Sequence, residues 1–93
     1  MLFVINCLDK PDSLDLRVAT RVAHLAYADT VASQIVIAGP LLSDDGERMI
    51  GSLFLIEASD LDEARRFSEV DPYRKAGLFG RVEIHPFRRV LPR

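Results

Sequence analysis

A single cysteine, Cys7, stands among 93 residues, so no disulfide can close within the chain. Histidine is almost as scarce. His24 and His85 are far apart in sequence, and neither sits with Cys7 at the spacing of a metal site. The five glycines form no phosphate-cradling loop, and no serine elbow is present. Neither a metal nor a cofactor is therefore expected. No apolar run approaches the ~20 residues that a membrane-spanning helix needs. Positive charge is not in excess: 12 Lys and Arg face 14 Asp and Glu, a net charge of −2. That balance speaks against general nucleic-acid binding. The apolar start at residues 1–5 lacks a basic flank and soon meets Asn6 and Asp9, unlike an export signal. The expectation is a cytoplasmic protein with no nucleic-acid or membrane partner.

What remains is an ordinary globular composition, 48% hydrophobic and 28% charged. The length fits one domain spanning residues 1–93. A chain this short buries only roughly 60–65% of its unfolded surface. Without a disulfide or a metal, association is the leading way to enlarge the core, so a homodimer or larger assembly is expected.

Residues 1–8 are nearly all apolar and stop at Asp9-Lys10-Pro11, which reads as a buried strand and a turn. The period then becomes helical over residues 13–32, where Leu14, Val18, Val22 and Leu25 form one apolar stripe, taken as the core face. Asp12 and Ser13 are suitable N-caps. Residues 34–42 read as a second strand and residues 49–58 as a third. The Asp45-Gly46 step between them signals a hairpin, because glycine accepts a positive φ. Ser59-Asp60 and the acidic Asp62 and Glu63 open a second helix that carries Leu61, Ala64 and Phe67 on one face. Asp71-Pro72 caps one further turn, stopped at Gly77. The alternation from Arg81 to His85 marks a fourth strand over residues 80–90.

The order is βαββαβ. Proline cannot donate to a sheet ladder, so Pro40 and Pro86 put strands two and four at the edges. Strands one and three belong in the middle. Right-handed crossovers then give a ferredoxin-like α+β fold, an antiparallel sheet with both helices on one face. The uncovered face should be polar. It is not: Phe3 and Ile5 alternate with Leu2 and Val4, and Leu53 and Leu55 alternate with Phe54 and Ile56. A second copy packed sheet to sheet, a dimeric α+β barrel, would cover it. Phe54 is one candidate for that interface.

Arg17, Arg21, His24 and Ala28 share a helical face opposite the apolar stripe. A solvated face is one reading. The other is a site for an anionic small molecule, with His24 as proton carrier because imidazole titrates near neutral pH. Tyr27, three residues on, could add a hydroxyl or simply pack its ring. Asp71 caps the turn at Pro72, and an aspartate can also orient a histidine by accepting its ring N–H. Cys7 reads as a small core residue, and His85 as surface. The acidic Asp44, Asp45 and Glu47 and the basic Arg88, Arg89 and Arg93 read as solvated charge.

Several segments together resemble the YciI-like, or YCII-related, family. They are Arg21-Val22-Ala23-His24-Leu25-Ala26-Tyr27, Ala38-Gly39-Pro40-Leu41, Gly51-Ser52-Leu53, Asp71-Pro72-Tyr73 and Lys75-Ala76-Gly77-Leu78-Phe79. Each motif alone is weak; in this order they span nearly the whole chain. The resemblance implies a dimeric ferredoxin-like α+β barrel with a His–Asp pair in a cleft. One relative is a dehydrochlorinase acting on a hydroxylated ring. By motif the histidine falls on His24 and the aspartate on Asp71. Gly39 and Pro40 match the segment lining the cleft, with Ser52 and Tyr73 as neighbours.

The expectation is a small, cofactor-independent lyase or isomerase that moves a proton on a phenolic or enolic metabolite. His24 would be the acid–base, Asp71 its orienting carboxylate, and Arg17 or Arg21 the anion holder. The rival readings are a non-catalytic ligand-binding dimer and a purely structural pairing domain.

Overall fold

The computed structural model describes residues 1–93. The sheet is ordered β2-β3-β1-β4 and antiparallel throughout, so the two proline-bearing strands are indeed at the edges. Its strands are β1 (Leu2–Asp9), β2 (Ile35–Leu42), β3 (Met49–Glu57) and β4 (Phe79–Phe87). Helix α1 (Leu14–Thr30) joins β1 to β2 through a short 3₁₀ turn, Ala32–Gln34. Helices α2 (Leu61–Glu69) and α3 (Pro72–Lys75) join β3 to β4. This is the ferredoxin-like α+β arrangement with all helices on one face. No helix is long and apolar enough to cross a membrane.

Local chemistry sets the boundaries. Asp60 caps α2 by accepting from the Glu63 amide at 2.8 Å, and the Glu63 carboxylate accepts in return from the Ser59 amide at 3.1 Å. That reciprocal pairing satisfies donors a helix start leaves open. Asp71 caps α3, Pro72 takes the first helical position, and Gly77 ends the segment at φ +77°. Ser13 occupies the N-cap position of α1 but makes no side-chain cap; its hydroxyl donates to the Pro11 carbonyl. Gly51 is required for another reason. A Cβ there would collide with the Cys7 carbonyl of the neighbouring strand.

The core lies between sheet and helices. Phe3, Ile5 and Cys7 of β1 stand in register with Ile56, Phe54 and Ser52 of β3, and Ala64 and Phe67 of α2 close over them. Phe54 therefore points to the helices, so it is not on the uncovered face. That face carries the other parity: Val4 lies opposite Leu55, which lies opposite Ile37 of β2. Ile37 is exposed, and so is Leu8 at the end of the same face.

Helix α1 reverses the expected orientation. Val18 and Val22 of its apolar stripe face outward, 58% and 82% exposed, while its one buried residue is Arg17. The inward face is polar because partners wait for it there, which removes the penalty of burying unpaired polar groups.

Candidate active site

Arg17, Arg21, His24 and Ala28 recur along α1 so that one face of the helix looks across to β2 and β3. Between them lies a cavity of about 320 Å³. Its remaining wall includes Gly39 and Pro40 of β2, Ser52 and Phe54 of β3, and Tyr73 of α3. Four apolar residues complete the lining: Leu25, Ile35, Ala38 and Met49.

His24 and Asp71, 47 positions apart, are brought together at 2.8 Å between Nδ1 and Oδ1. The carboxylate is fully buried behind the cavity, and the imidazole nearly so. The same Oδ1 accepts from the Tyr73 amide at 2.9 Å. Capping and histidine pairing, the two roles open for Asp71, are thus performed at once. The imidazole stacks on the Tyr73 ring, 4.0 Å between centroids and 16° between planes, and meets the edge of Phe54. His24 has no freedom to swing away, and Nε2 is the ring atom left without a protein partner.

Arg17 does not play the part expected of it. Its Nε donates to Asp9 Oδ2 at 2.7 Å, and its Nη2 to Asp9 Oδ1 and to Ser52 Oγ, both at 2.9 Å. Both members of the ion pair are buried. Burial alone would pull the Arg17 pKa down; the hydrogen bonds and charge of Asp9 reverse this, and it is raised. Its charge is neutralised, so Arg17 is not a free anion holder. Arg21 is the guanidinium on the cavity wall without a carboxylate partner.

Tyr27 lies outside the cavity. Its hydroxyl donates to the Phe67 carbonyl at 2.8 Å and ties α1 to α2. Burial, with the Asp71 charge second, pushes that phenol up to about 12. The Tyr73 phenol is also raised, chiefly by burial, while the charges of Arg17 and Arg21 work against the shift. Cys7, in the core, is pushed up to about 12 by burial and then by Asp71, so it is a protonated, unreactive thiol. No cluster of three metal-ligating side chains exists. The residue that the sequence reading missed is Asp9, the counter-ion of Arg17.

The YCII-related domain family matches residues 1–88. A protein called YciI from Escherichia coli O6:H1 is 34% identical, covering 98% of this chain and all of its own. An uncharacterized protein of Haemophilus influenzae is 31% identical over the same shares. Among solved structures, 5-chloro-2-hydroxyhydroquinone dehydrochlorinase from Burkholderia phenoliruptrix AC1100 is 37% identical and superposes with a TM-score of 0.89. The match covers 97% of this chain and 96% of that one, which was solved in complex with 2,5-dihydroxybenzoquinone.

Proposed function

The chain belongs to the YCII-related family, and from that premise we propose that it is a cofactor-independent enzyme moving a proton on a small hydroxylated aromatic or enolic molecule. His24 is its acid–base and Asp71 the carboxylate that orients it. The observation carrying this reading is the 2.8 Å contact between His24 Nδ1 and buried Asp71 Oδ1. An ionised carboxylate can only accept. Nδ1 therefore keeps its proton, and the lone pair is left on Nε2 at the cavity.

A ring hydroxyl entering the cavity gives its proton to Nε2. Arg21 faces the negative charge that develops on oxygen, and Asp71 steadies the imidazolium. His24 then returns the proton to carbon. On a chlorinated hydroxyquinol, the ring carbon bearing chlorine receives it and becomes tetrahedral. Loss of a second hydroxyl proton lets chloride leave with the C–Cl electrons, so HCl is eliminated without an oxidant. A positioned acid–base of this kind contributes ~10²–10⁴ in rate. The cavity is at the lower end of the roughly 300–1,000 Å³ typical of small-molecule sites, which suits one ring.

The same proposal includes a homodimer working in the cytoplasm. Val4, Leu55 and Ile37 on the helix-free face favour a second copy as its cover. A lone, buried, unpaired Cys7 is compatible with a reducing compartment.

The test is chloride release from 5-chloro-2-hydroxyhydroquinone alongside titration with 2,5-dihydroxybenzoquinone. The wild-type protein turns over, and His24→Ala loses at least ~10² in rate. Saturable binding without turnover would make the site a holding pocket, and equal rates in both proteins would remove His24 from the chemistry.

A further inference from the structure

The Tyr73 ring is packed by two side chains of α1. The Arg17 guanidinium carbon lies over it at 4.7 Å from the centroid, and the His24 ring stacks on it at 4.0 Å. The two distances, taken with the spacing of Arg17 and His24 on α1, fit a ring held between them. The helix explains how. Arg17 and His24 are seven residues apart on α1, two turns or about 10.5 Å along the axis, which leaves room for one aromatic ring between them. Tyr73 enters that gap from α3. Its own position is set by the Asp71 carboxylate, which accepts from its amide, and by Phe79, whose ring packs edge-on at 6.1 Å.

The guanidinium is fixed more firmly than a stacking cation needs to be. Asp9 holds it through two parallel hydrogen bonds, and Ser52 adds a third. A planar fork held on one edge presents its face in one orientation only. With its charge matched by Asp9, Arg17 contributes shape and a face for the ring, not a free charge for a ligand.

We infer that Arg17 is a positioning residue of this site: anchored by Asp9 and Ser52, it presses the Tyr73 ring against the His24 imidazole and so sets the plane in which Nε2 meets the cavity. Asp71 fixes one atom of the imidazole. A ring pinned at one atom still rocks about that contact, and the stack removes this motion. The chain Asp9–Arg17–Tyr73–His24 runs from the end of β1 to the acid–base without touching the ligand through Asp9. The inference rests on the reading of His24 as the proton carrier.

Arg17→Met would strand the Asp9 carboxylate in the interior and is expected to unfold. Arg17→Lys is the informative variant, because it keeps a charge for Asp9 and loses the planar fork. The readouts are the His24 ring-proton shifts by NMR and the affinity for 2,5-dihydroxybenzoquinone. Stacked over Tyr73, the wild-type His24 ring protons are displaced upfield by the ring current. In Arg17→Lys they return toward solvent-exposed values with the melting temperature and the amide spectrum of the sheet kept, and Kd rises about tenfold. Tyr73→Phe, which retains the ring, keeps the upfield shift, whereas Tyr73→Leu loses it. Upfield shifts and affinity both unchanged in Arg17→Lys would overturn the positioning role. Shifts lost in Arg17→Lys with the same Kd in wild type, Arg17→Lys and His24→Ala would uphold the clamp and overturn the reading of His24.

Discussion

One oxygen of Asp71 serves both His24 and its own helix: Oδ1 accepts from His24 Nδ1 at 2.8 Å and from the Tyr73 amide at 2.9 Å. The cap of α3 and the orientation of the imidazole therefore share an atom. The turn that begins at Pro72 is in effect a bracket for the histidine, and Tyr73, the second residue of the bracket, is the plate the imidazole stacks on.

His24 lies on the inward face of α1, stacked and paired, so its removal carries a structural cost. His24→Ala should lower stability by about 1–3 kcal/mol, the range for leaving a buried polar partner short of a hydrogen bond. Asp71 keeps the Tyr73 amide, which limits the loss. Urea unfolding checks this; an unfolded variant would make the histidine a structural residue first.

The dimer is tested at the uncovered face. Leu55 stands between Val4 and Ile37 in register. Leu55→Lys would place an unpaired charge in the interface and should give a folded monomer by sedimentation equilibrium. Phe54→Lys should instead unfold the chain, since Phe54 is in the core. A Leu55→Lys protein that remains a dimer, or a monomeric wild type, would contradict the barrel arrangement.

Alkaline pH should weaken the fold through Cys7. Its thiol is pushed from an ordinary value of 9.0 up to about 12. Between those values the unfolded chain has lost a proton that the folded chain keeps, so rising pH favours unfolding. The stability held by the protonated thiol is complete below pH 9 and falls by about 1.4 kcal/mol per pH unit above it. Tyr27 acts with the same sign above its ordinary 10.0. Comparison of urea midpoints at about pH 8 and about pH 10.5 should show the fall, and Cys7→Ala should reduce it. An equal slope in Cys7→Ala would mean that the thiol is not the source.

Tyr27→Phe removes the hydrogen bond to the Phe67 carbonyl. It should cost about 0.5–1.5 kcal/mol and leave the affinity for 2,5-dihydroxybenzoquinone unchanged. A loss of affinity would return Tyr27 to the site.

Strand order was legible because Pro40 and Pro86 can sit only at edges. The paired roles of His24 and Asp71 came from the family motifs, since nothing local links residues 47 apart. The orientation of α1 was not legible. Hydrophobic period puts Val18 and Val22 inside, and it fails when the polar face has buried partners in Asp9, Ser52 and Asp71. Asp9 itself reads as a turn residue; only folding brings it to Arg17. Tyr27 follows His24 by three residues, a rotation of about 60° around the helix, enough to carry its hydroxyl from the cavity to α2.

The most direct test is the tautomer of His24, read from the nitrogen spectrum of its ring in wild type and Asp71→Asn. Asparagine keeps an oxygen for the Tyr73 amide, so the cap survives. At about pH 8 the wild-type ring should carry its proton on Nδ1, facing Asp71, and leave Nε2 bare. In Asp71→Asn that preference should be lost, with chloride release from 5-chloro-2-hydroxyhydroquinone falling ~10²–10⁴-fold. A wild-type ring protonated on Nε2, or an Asp71→Asn protein with the same tautomer and the same rate, would contradict the account.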